Sequence, residues 1–254
     1  MSGAVPPRLR RIFPEPAELT VEAFLEELLA RRVDRAPRED RPWLALNMVA
    51  SADGRVALDG RSEGLSGPAD RALFHALRAT TDAVLFGANT ANLERYGRMV
   101  KDPDRRAWRE RDGLLPEPLA VCVSGELSVS AELPLFAELE ARVVVATRAD
   151  GRLEGARAEV DYVRLGDAGL DALMRALRSD HGVEHALCEG GPRLSATLLA
   201  EGLVDEFYLT IAPLLVGSPP FPVVQGPLAQ PIRLELLDSI ESAGTVFQRY
   251  GVAS

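Results

Sequence analysis

Cysteine, histidine and aromatic residues are scarce in this 254-residue chain: two Cys, three His, and 6% Phe, Trp and Tyr together. Cys122 and Cys188 both sit in apolar, strand-like runs. They read as buried thiols of a reducing compartment, the cytoplasm, and exclude a disulfide framework. His75, His181 and His185 are too few and too scattered for a metal centre, and neither Cys-x-x-Cys nor His-Glu-x-x-His occurs. Positive charge is also short, with 29 Lys and Arg against 38 Asp and Glu and a net charge of −9. That argues against nucleic acid or an anionic membrane as partner. It leaves phosphate ligands open, since these need only a local cluster of donors. No apolar run approaches the ~20 residues of a membrane helix. Arg8, Arg10 and Arg11 have no apolar stretch behind them, so no secretory signal is expected. Gly-x-Gly-x-x-Gly, a P-loop and Gly-x-Ser-x-Gly are all missing. Their absence excludes a standard Rossmann dinucleotide domain, P-loop phosphoryl transfer and a nucleophile elbow. An enzyme of this kind leaves the difficult step to a bound cofactor.

What is present is ordinary for a globular protein, 46% hydrophobic and 26% charged. Residues 1–40 read as an extension. Pro6-Pro7, a basic stretch and Phe13-Pro14-Glu15-Pro16 precede an amphipathic helix from about Thr20. In that helix Val21, Phe24, Leu25, Leu28 and Leu29 share one face. A polar linker, Ala36 to Asp40, ends it; the expected role is a lid or brace without chemistry. Residues 41–254 alternate. Strands are expected at Trp43 to Ala50, Ala83 to Phe86, Leu119 to Val123, Arg142 to Thr147, Asp161 to Leu165, 185–188, Asp205 to Ala212 and Thr245 to Tyr250. Helices are expected at Pro68 to Arg78, around Leu170–Leu177 and after Pro192. This alternation predicts an α/β domain on a mostly parallel central sheet with flanking helices. The last two strands lack an intervening helix, so an antiparallel C-terminal edge is expected. Residues 95–117 and 217–231 read as long loops.

Four constellations could carry chemistry. His185-Ala186-Leu187-Cys188 followed by Glu189-Gly190-Gly191-Pro192 reads as strand, glycine turn and helix start, with Arg193 and Leu194 in the first turn. Bare glycines before a helix N-terminus suit a phosphate; an ordinary turn in which glycine supplies an unusual φ is the bland alternative. Asn47 lies on a strand that ends in Ser51-Ala52-Asp53-Gly54-Arg55, at the carboxyl end where α/β sheets bind ligands. A capped Asp-Gly turn explains the same residues. Ser66-Gly67-Pro68-Ala69-Asp70-Arg71 opens a helix that Ser66 can cap. Arg71, His75 and Arg78 then share one face, read either as a basic wall for an anion or as a solvated face with a histidine at its edge. Gly87-Ala88-Asn89-Thr90 ends a further strand in glycine.

In this order, Ser51–Arg55, Ser66-Gly67-Pro68 with Arg71, His75 and Arg78, Gly87–Thr90, Glu189–Pro192 and Asp205-Glu206 running to Ala212–Gly217 resemble the pyrimidine reductases of riboflavin biosynthesis. That resemblance covers about residues 41–250 and implies a dihydrofolate-reductase-like fold and a homodimer. It implies NADPH-dependent reduction of 5-amino-6-(5-phosphoribosylamino)uracil or a close analogue, with hydride delivered to ribosyl C1′. Asp53 and Ser51 would then be catalytic, and Asn47, Ser66, Arg71 and Glu189 would face substrate. Gly87, Thr90, Gly190, Gly191, Pro192, Arg193 and Leu194 would contact the cofactor, with Ser124, Thr147 and Arg148 as candidates for its 2′-phosphate. Many family members carry a zinc deaminase domain with His-x-Glu and Pro-Cys-x-x-Cys, which this chain lacks, so a stand-alone reductase is expected. Where the family has an Asp-Asp-Pro stretch and an arginine, this chain reads Ala91-Asn92-Leu93-Glu94-Arg95-Tyr96-Gly97, which points to altered substrate contacts. Reduction of a folate- or pteridine-like substrate, or nucleotide binding without catalysis, are the alternatives.

Overall fold

The structure is a computed structural model that describes residues 7–35, 38–217 and 221–253. Pro6 and residues 36 and 37 of the expected linker lie outside it, as do residues 218–220 of the second long loop. In chain order the strands are β1 (Leu9–Phe13), β2 (Ala17–Leu19), β3 (Trp43–Ser51), β4 (Ala83–Gly87), β5 (Leu119–Val123), β6 (Arg142–Thr147), β7 (Glu159–Arg164), β8 (His185–Cys188), β9 (Glu206–Ala212), β10 (Leu234–Ser242) and β11 (Thr245–Val252). The helices are α1 (Val21–Asp34), α2 (Pro68–Ala79), α3 (Ala88–Glu94), α4 (Pro103–Arg111), α5 (Pro134–Ala137), α6 (Gly169–Ser179) and α7 (Pro192–Ala200).

All the strands join one sheet in the order β2-β1-β10-β11-β9-β3-β8-β4-β5-β6-β7. From β9 to β7 neighbours run parallel. From β9 outward through β11, β10, β1 and β2 they run antiparallel. The expected α/β class with a mostly parallel sheet and an antiparallel side therefore holds. The strand at 245–252 is not the edge, however. β10 and the two short strands before residue 20 lie outside it. These three strands escaped the sequence reading because β1 and β10 interleave Arg, Glu and Asp with their apolar residues, which blurs a period-2 pattern.

The two sheet faces are covered differently. Leu44, Leu46, Met48 and Ala50 of β3 pack with α6 and α7 residues such as Leu173, Leu177, Leu194 and Leu198. On the other face Ala45, Leu187 and Tyr208 pack against α1 and α2 through Phe24, Leu28, Leu73 and Leu77. Further along, Val84, Phe86, Val143 and Val145 meet Ala88, Ala91 and Phe136. The continuous apolar runs of β4, β5, β6 and β8 follow from cover on both faces. Cys122 and Cys188 are free and fully buried, and burial pushes both thiols up to about 12.

The 95–117 segment is not all loop, since it contains α4. That helix is almost wholly polar, so it shows no apolar stripe, and its anchor is a charge. Arg109 is completely buried. Its Nη1 donates to the carbonyls of Arg78, Ala79 and Thr81 at 3.1, 2.9 and 2.9 Å, and its Nε to Leu115 O at 2.8 Å. A guanidinium here meets the orphan carbonyls and the negative end of α2.

Arginines tie the first forty residues down. Arg11 and Arg31 hold Asp238, both at 3.0 Å; Arg32 holds Asp82 at 2.8 Å and Arg35 holds Glu206 at 2.5 Å. Arg41 and Arg38 share Asp205. With Leu9, Val21, Phe24, Leu25 and Leu28 in the core, this segment extends the sheet and backs α2.

Candidate active site

One large cavity, about 880 Å³, opens at the carboxyl ends of β3, β4, β5 and β8. This is where parallel sheets bind ligands, and its size is near the upper end of the roughly 300–1,000 Å³ typical of small-molecule sites. Of the residues singled out in the sequence, Asn47, Ser66, Arg71, His75, Arg78, Gly87, Thr90, Ser124, Glu189, Gly191, Pro192, Arg193 and Leu194 line it. Five regions that are distant in sequence thus converge on one space.

One wall is the glycine turn. Its Gly190–Gly191 peptide is cis. Gly190 has φ +81°, and a Cβ there would come within 2.5 Å of Met48 Sδ. A Cβ on Gly191 would come within 2.9 Å of Thr90 Oγ1. The glycines are thus required by the packing of the protein itself. Their amides are also engaged: Gly190 N donates to Cys188 Sγ at 3.4 Å and Gly191 N to Thr90 Oγ1 at 3.2 Å. The pair of open amides therefore lies three residues further on than expected, in the first turn of α7. Pro192 has no N–H, Ser195 N bonds Gly191 O, and the first-turn amides of Arg193 and Leu194 have no intrahelical acceptor. Gly87 N bonds Gly190 O at 3.0 Å, which docks α3 and Thr90 against the turn.

The opposite wall is α2. Gly67, not Ser66, is its N-cap, without a side-chain cap bond. Ser66 Oγ donates instead to the Asp70 carboxylate, whose other oxygen accepts Thr210 Oγ1 at 2.7 Å. Arg71 is exposed and reaches Ser66 O at 2.6 Å. Burial and the nearby Arg78 cation lower the His75 pKa. Arg78 departs from the solvated-face alternative, since only 8% of it is exposed. Its Nε and Nη2 grip Glu189 Oε1 and Oε2 at 2.5 and 2.6 Å, and Nη1 donates to Met99 O at 3.2 Å. Tyr96 hydroxyl donates to the same carboxylate at 2.7 Å. Arg78 also stacks on Phe74 at 4.3 Å and Tyr96 at 5.4 Å. Burial, reinforced by the Glu189 charge, raises the Tyr96 pKa well above its ordinary value, so Tyr96 stays a neutral donor. Glu189 is therefore occupied from within.

Ser51, Asp53, Thr147 and Arg148 are not in the cavity lining. Ser51 is buried and donates to Asp53 Oδ1 at 2.5 Å; Asp53 also accepts Val216 N and Gly217 N at 3.1 and 2.8 Å. These bonds, led by the Ser51 hydroxyl, hold its pKa at about 2. The pair ties the turn after β3 to the segment after β9. Thr147 is fully buried; its hydroxyl donates to Gly125 O at 3.0 Å and accepts Ala149 N at 3.1 Å. Arg148 is exposed at the end of β6, with its amide on Gly125 O. Of the three 2′-phosphate candidates only Ser124 reaches the cleft.

Sequence reasoning singled out neither Asp70, Thr210 nor Tyr96. Asp70 carried a signal: it lies three and seven residues before Leu73 and Leu77, on the inward stripe of α2. Tyr96 carried none, because its partners are remote.

Residues 42–247 match the family described as RibD C-terminal domain. The chain belongs to this family. It is 32% identical to the 2,5-diamino-6-ribosylamino-4(3H)-pyrimidinone 5′-phosphate reductase of Archaeoglobus fulgidus, over 72% of this chain and 86% of that protein. It is 31% identical to the protein of the same name from Methanothermobacter thermautotrophicus, over 70% and 81%. Among solved structures it is similar to a pyrimidine reductase-like protein from Corynebacterium diphtheriae. There the TM-score is 0.79 and the identity 25%, covering 93% of this chain and all of that one.

Proposed function

We propose that this RibD C-terminal domain family member is a reductase of riboflavin biosynthesis that uses NADPH to reduce a 6-ribosylamino-pyrimidine 5′-phosphate. The carrying observation is the large cleft at the carboxyl ends of β3, β4, β5 and β8, with α2 as one wall and the glycine turn as the other. NADPH would supply the hydride to ribosyl C1′ of the open-chain imine, and with a proton on nitrogen the product is the ribitylamine.

The chain's donors fit this cofactor. The open amides of Arg193 and Leu194 and the Arg193 side chain would hold the diphosphate at the positive end of α7. Gly87, Thr90, Gly190, Gly191 and Pro192 shape the seat, and Ser124 takes the 2′-phosphate region. Asn47, Ser66 and Arg71 face substrate, with Arg71 and Lys101, which also lines the cleft, supplying positive charge to that wall, and His75 a neutral imidazole. Glu189 acts through Arg78 and Tyr96 as the rigid back of the site. Ser51 and Asp53 brace the turn after β3. The protein's work is to hold two carbons near ~3–3.5 Å and exclude water. We place this activity in a cytoplasmic homodimer without nucleic-acid partners, with 41–254 as the reductase domain and 1–40 as an extension upon it.

The test is a titration with NADPH and separately NADH, followed by NADPH oxidation on adding 2,5-diamino-6-ribosylamino-4(3H)-pyrimidinone 5′-phosphate. Preferential NADPH binding and substrate-dependent oxidation are expected. Folded protein that binds neither nucleotide overturns the reading.

A further inference from the structure

Buried carboxylates elsewhere in the molecule are matched to arginines. Asp205 has Arg38 and Arg41, Glu206 has Arg35 and Arg249, Asp238 has Arg11 and Arg31, and Glu189 has Arg78. Asp70 differs. Only 8% of it is exposed, yet among the described residues its side-chain partners are two neutral hydroxyls, Ser66 Oγ and Thr210 Oγ1. It is also the one of these, besides Glu189, that lines the cleft. A buried carboxylate without a cation is costly, and its place in the first turn of α2 compensates only partly through the helix dipole.

The fold does not need this charge. Ala69, Leu73, Ala76 and Leu77 already pack α2 on the sheet, and Arg109 closes its far end. A neutral side chain could accept the Thr210 bond equally well. A carboxylate offers about four acceptor positions. The two hydroxyls take one on each oxygen and so fix its plane, leaving one on each oxygen for a ligand. Two parallel acceptors fit a ring N–H beside an exocyclic amino group. Asn47 and Phe74 line the same cavity, and provide an amide and an aromatic surface for such a ring.

We infer that Asp70 is a substrate-specificity residue that accepts the paired N–H donors of a 2-aminopyrimidinone edge. The chain therefore takes the ring that keeps its 2-amino group in preference to the corresponding uracil. This rests on the cleft being the substrate pocket of the reductase proposed above. Against a uracil the same carboxylate keeps one donor and faces a carbonyl oxygen, losing a charge-assisted bond and adding repulsion.

Two probes that differ only at this edge test it: 6-methylisocytosine and 6-methyluracil, titrated by calorimetry into the full-length protein. The wild type is expected to bind the isocytosine at least about tenfold more tightly, the scale of one charge-assisted bond. Asp70→Asn is expected to lose that preference and keep its NADPH affinity. Thr210→Val, which leaves the carboxylate in place, is expected to keep the preference. Equal affinity of the wild type for the two rings, or no binding of the isocytosine, overturns the inference even if Asp70→Asn fails to fold. So does an Asp70→Asn variant that loses thermal stability but retains the preference, since Asp70 is then only a bridge from α2 to β9. NADPH binding is scored separately. Its absence alongside an intact ring preference defeats the reductase reading and leaves Asp70 as a ring-recognition residue.

Discussion

Replacing Arg78 by Met keeps length and apolar bulk but removes every charged partner of Glu189. The Glu189 side chain is 2% exposed and that of Arg78 10%, so this is a buried pair with two short bonds, 2.5 and 2.6 Å. Afterwards Glu189 would keep only the Tyr96 hydroxyl at 2.7 Å, and Met99 O would lose its donor. Breaking a buried pair by removing one partner costs about 3–5 kcal/mol, because an uncompensated charge is left behind. The forfeited stacking on Phe74 at 4.3 Å adds to this, so Arg78→Met should lose about 4 kcal/mol. The companion Arg78→Met/Glu189→Gln removes the stranded charge and keeps an acceptor for Tyr96. It should return to within about 2 kcal/mol of wild type, a coupling typical of residues in direct contact. Urea unfolding followed by circular dichroism measures all three proteins, and an unchanged slope would show that stability alone has moved. A loss below about 1 kcal/mol for Arg78→Met, or a double variant no better than the single one, would refute the reasoning.

Three further outcomes are expected. His185 is 5% exposed, and among the described residues neither ring nitrogen has a hydrogen-bond partner; burial, aided by Arg32, lowers its pKa to about 4. As pH falls, the unfolded chain takes the proton first, so stability present above about pH 6.5 is lost progressively down to about pH 4. The loss is worth roughly 3 kcal/mol, and His185→Phe should flatten that part of a pH series of unfolding curves; parallel curves would refute it. Gly190→Ala combines φ +81° with a contact of 2.5 Å to Met48 Sδ and should cost about 2–4 kcal/mol. Gly113→Ala, with φ +77° but open space, should cost only about 1–2 kcal/mol; equal thermal shifts would remove the packing argument. Asp53→Asn should leave NADPH affinity unchanged while the segment after β9 becomes more sensitive to limited proteolysis. Because the Asp53 pKa is depressed to about 2, its contribution is present above about pH 4 and fades as pH falls toward 2. Loss of turnover without loosened structure would make Asp53 a reacting group.

Much of the central architecture was legible. Val143-Val144-Val145 and His185–Cys188 are continuous apolar runs, and both are strands buried on two faces. The stripe of Leu170, Leu173, Met174 and Leu177 is the buried face of α6, and Val21 to Leu28 that of α1. In these elements periodicity states which side is covered, and only the covering layer is left open. α4 was illegible for the opposite reason: a helix fastened by one buried arginine to backbone carbonyls leaves no periodic trace. β1, β2 and β10 are strands because neighbours supply their hydrogen bonds, not because their residues alternate cleanly.

The same division runs through the site. Glycine turns, strand ends and helix starts are local signals, and Asn47, Gly87, Thr90 and Gly191, which they single out, line the cleft. Roles depended on partners far away in the chain. Glu189 was legible as a cleft residue, but Arg78, 111 residues earlier, occupies its carboxylate. Local spacing makes Ser66 a cap, but in the fold its hydroxyl serves the Asp70 carboxylate, which Thr210, 140 residues from Asp70, completes. By itself the sequence determined the α/β class, the strand-end turns and the absence of metal, disulfide and nucleotide-fold motifs, because each depends on residue type and short-range spacing. Only the tertiary structure decided which charges are neutralised, and that buried Asp70 meets two hydroxyls at the cleft where other buried carboxylates meet arginines, because burial and ion pairing belong to groups brought together by the fold.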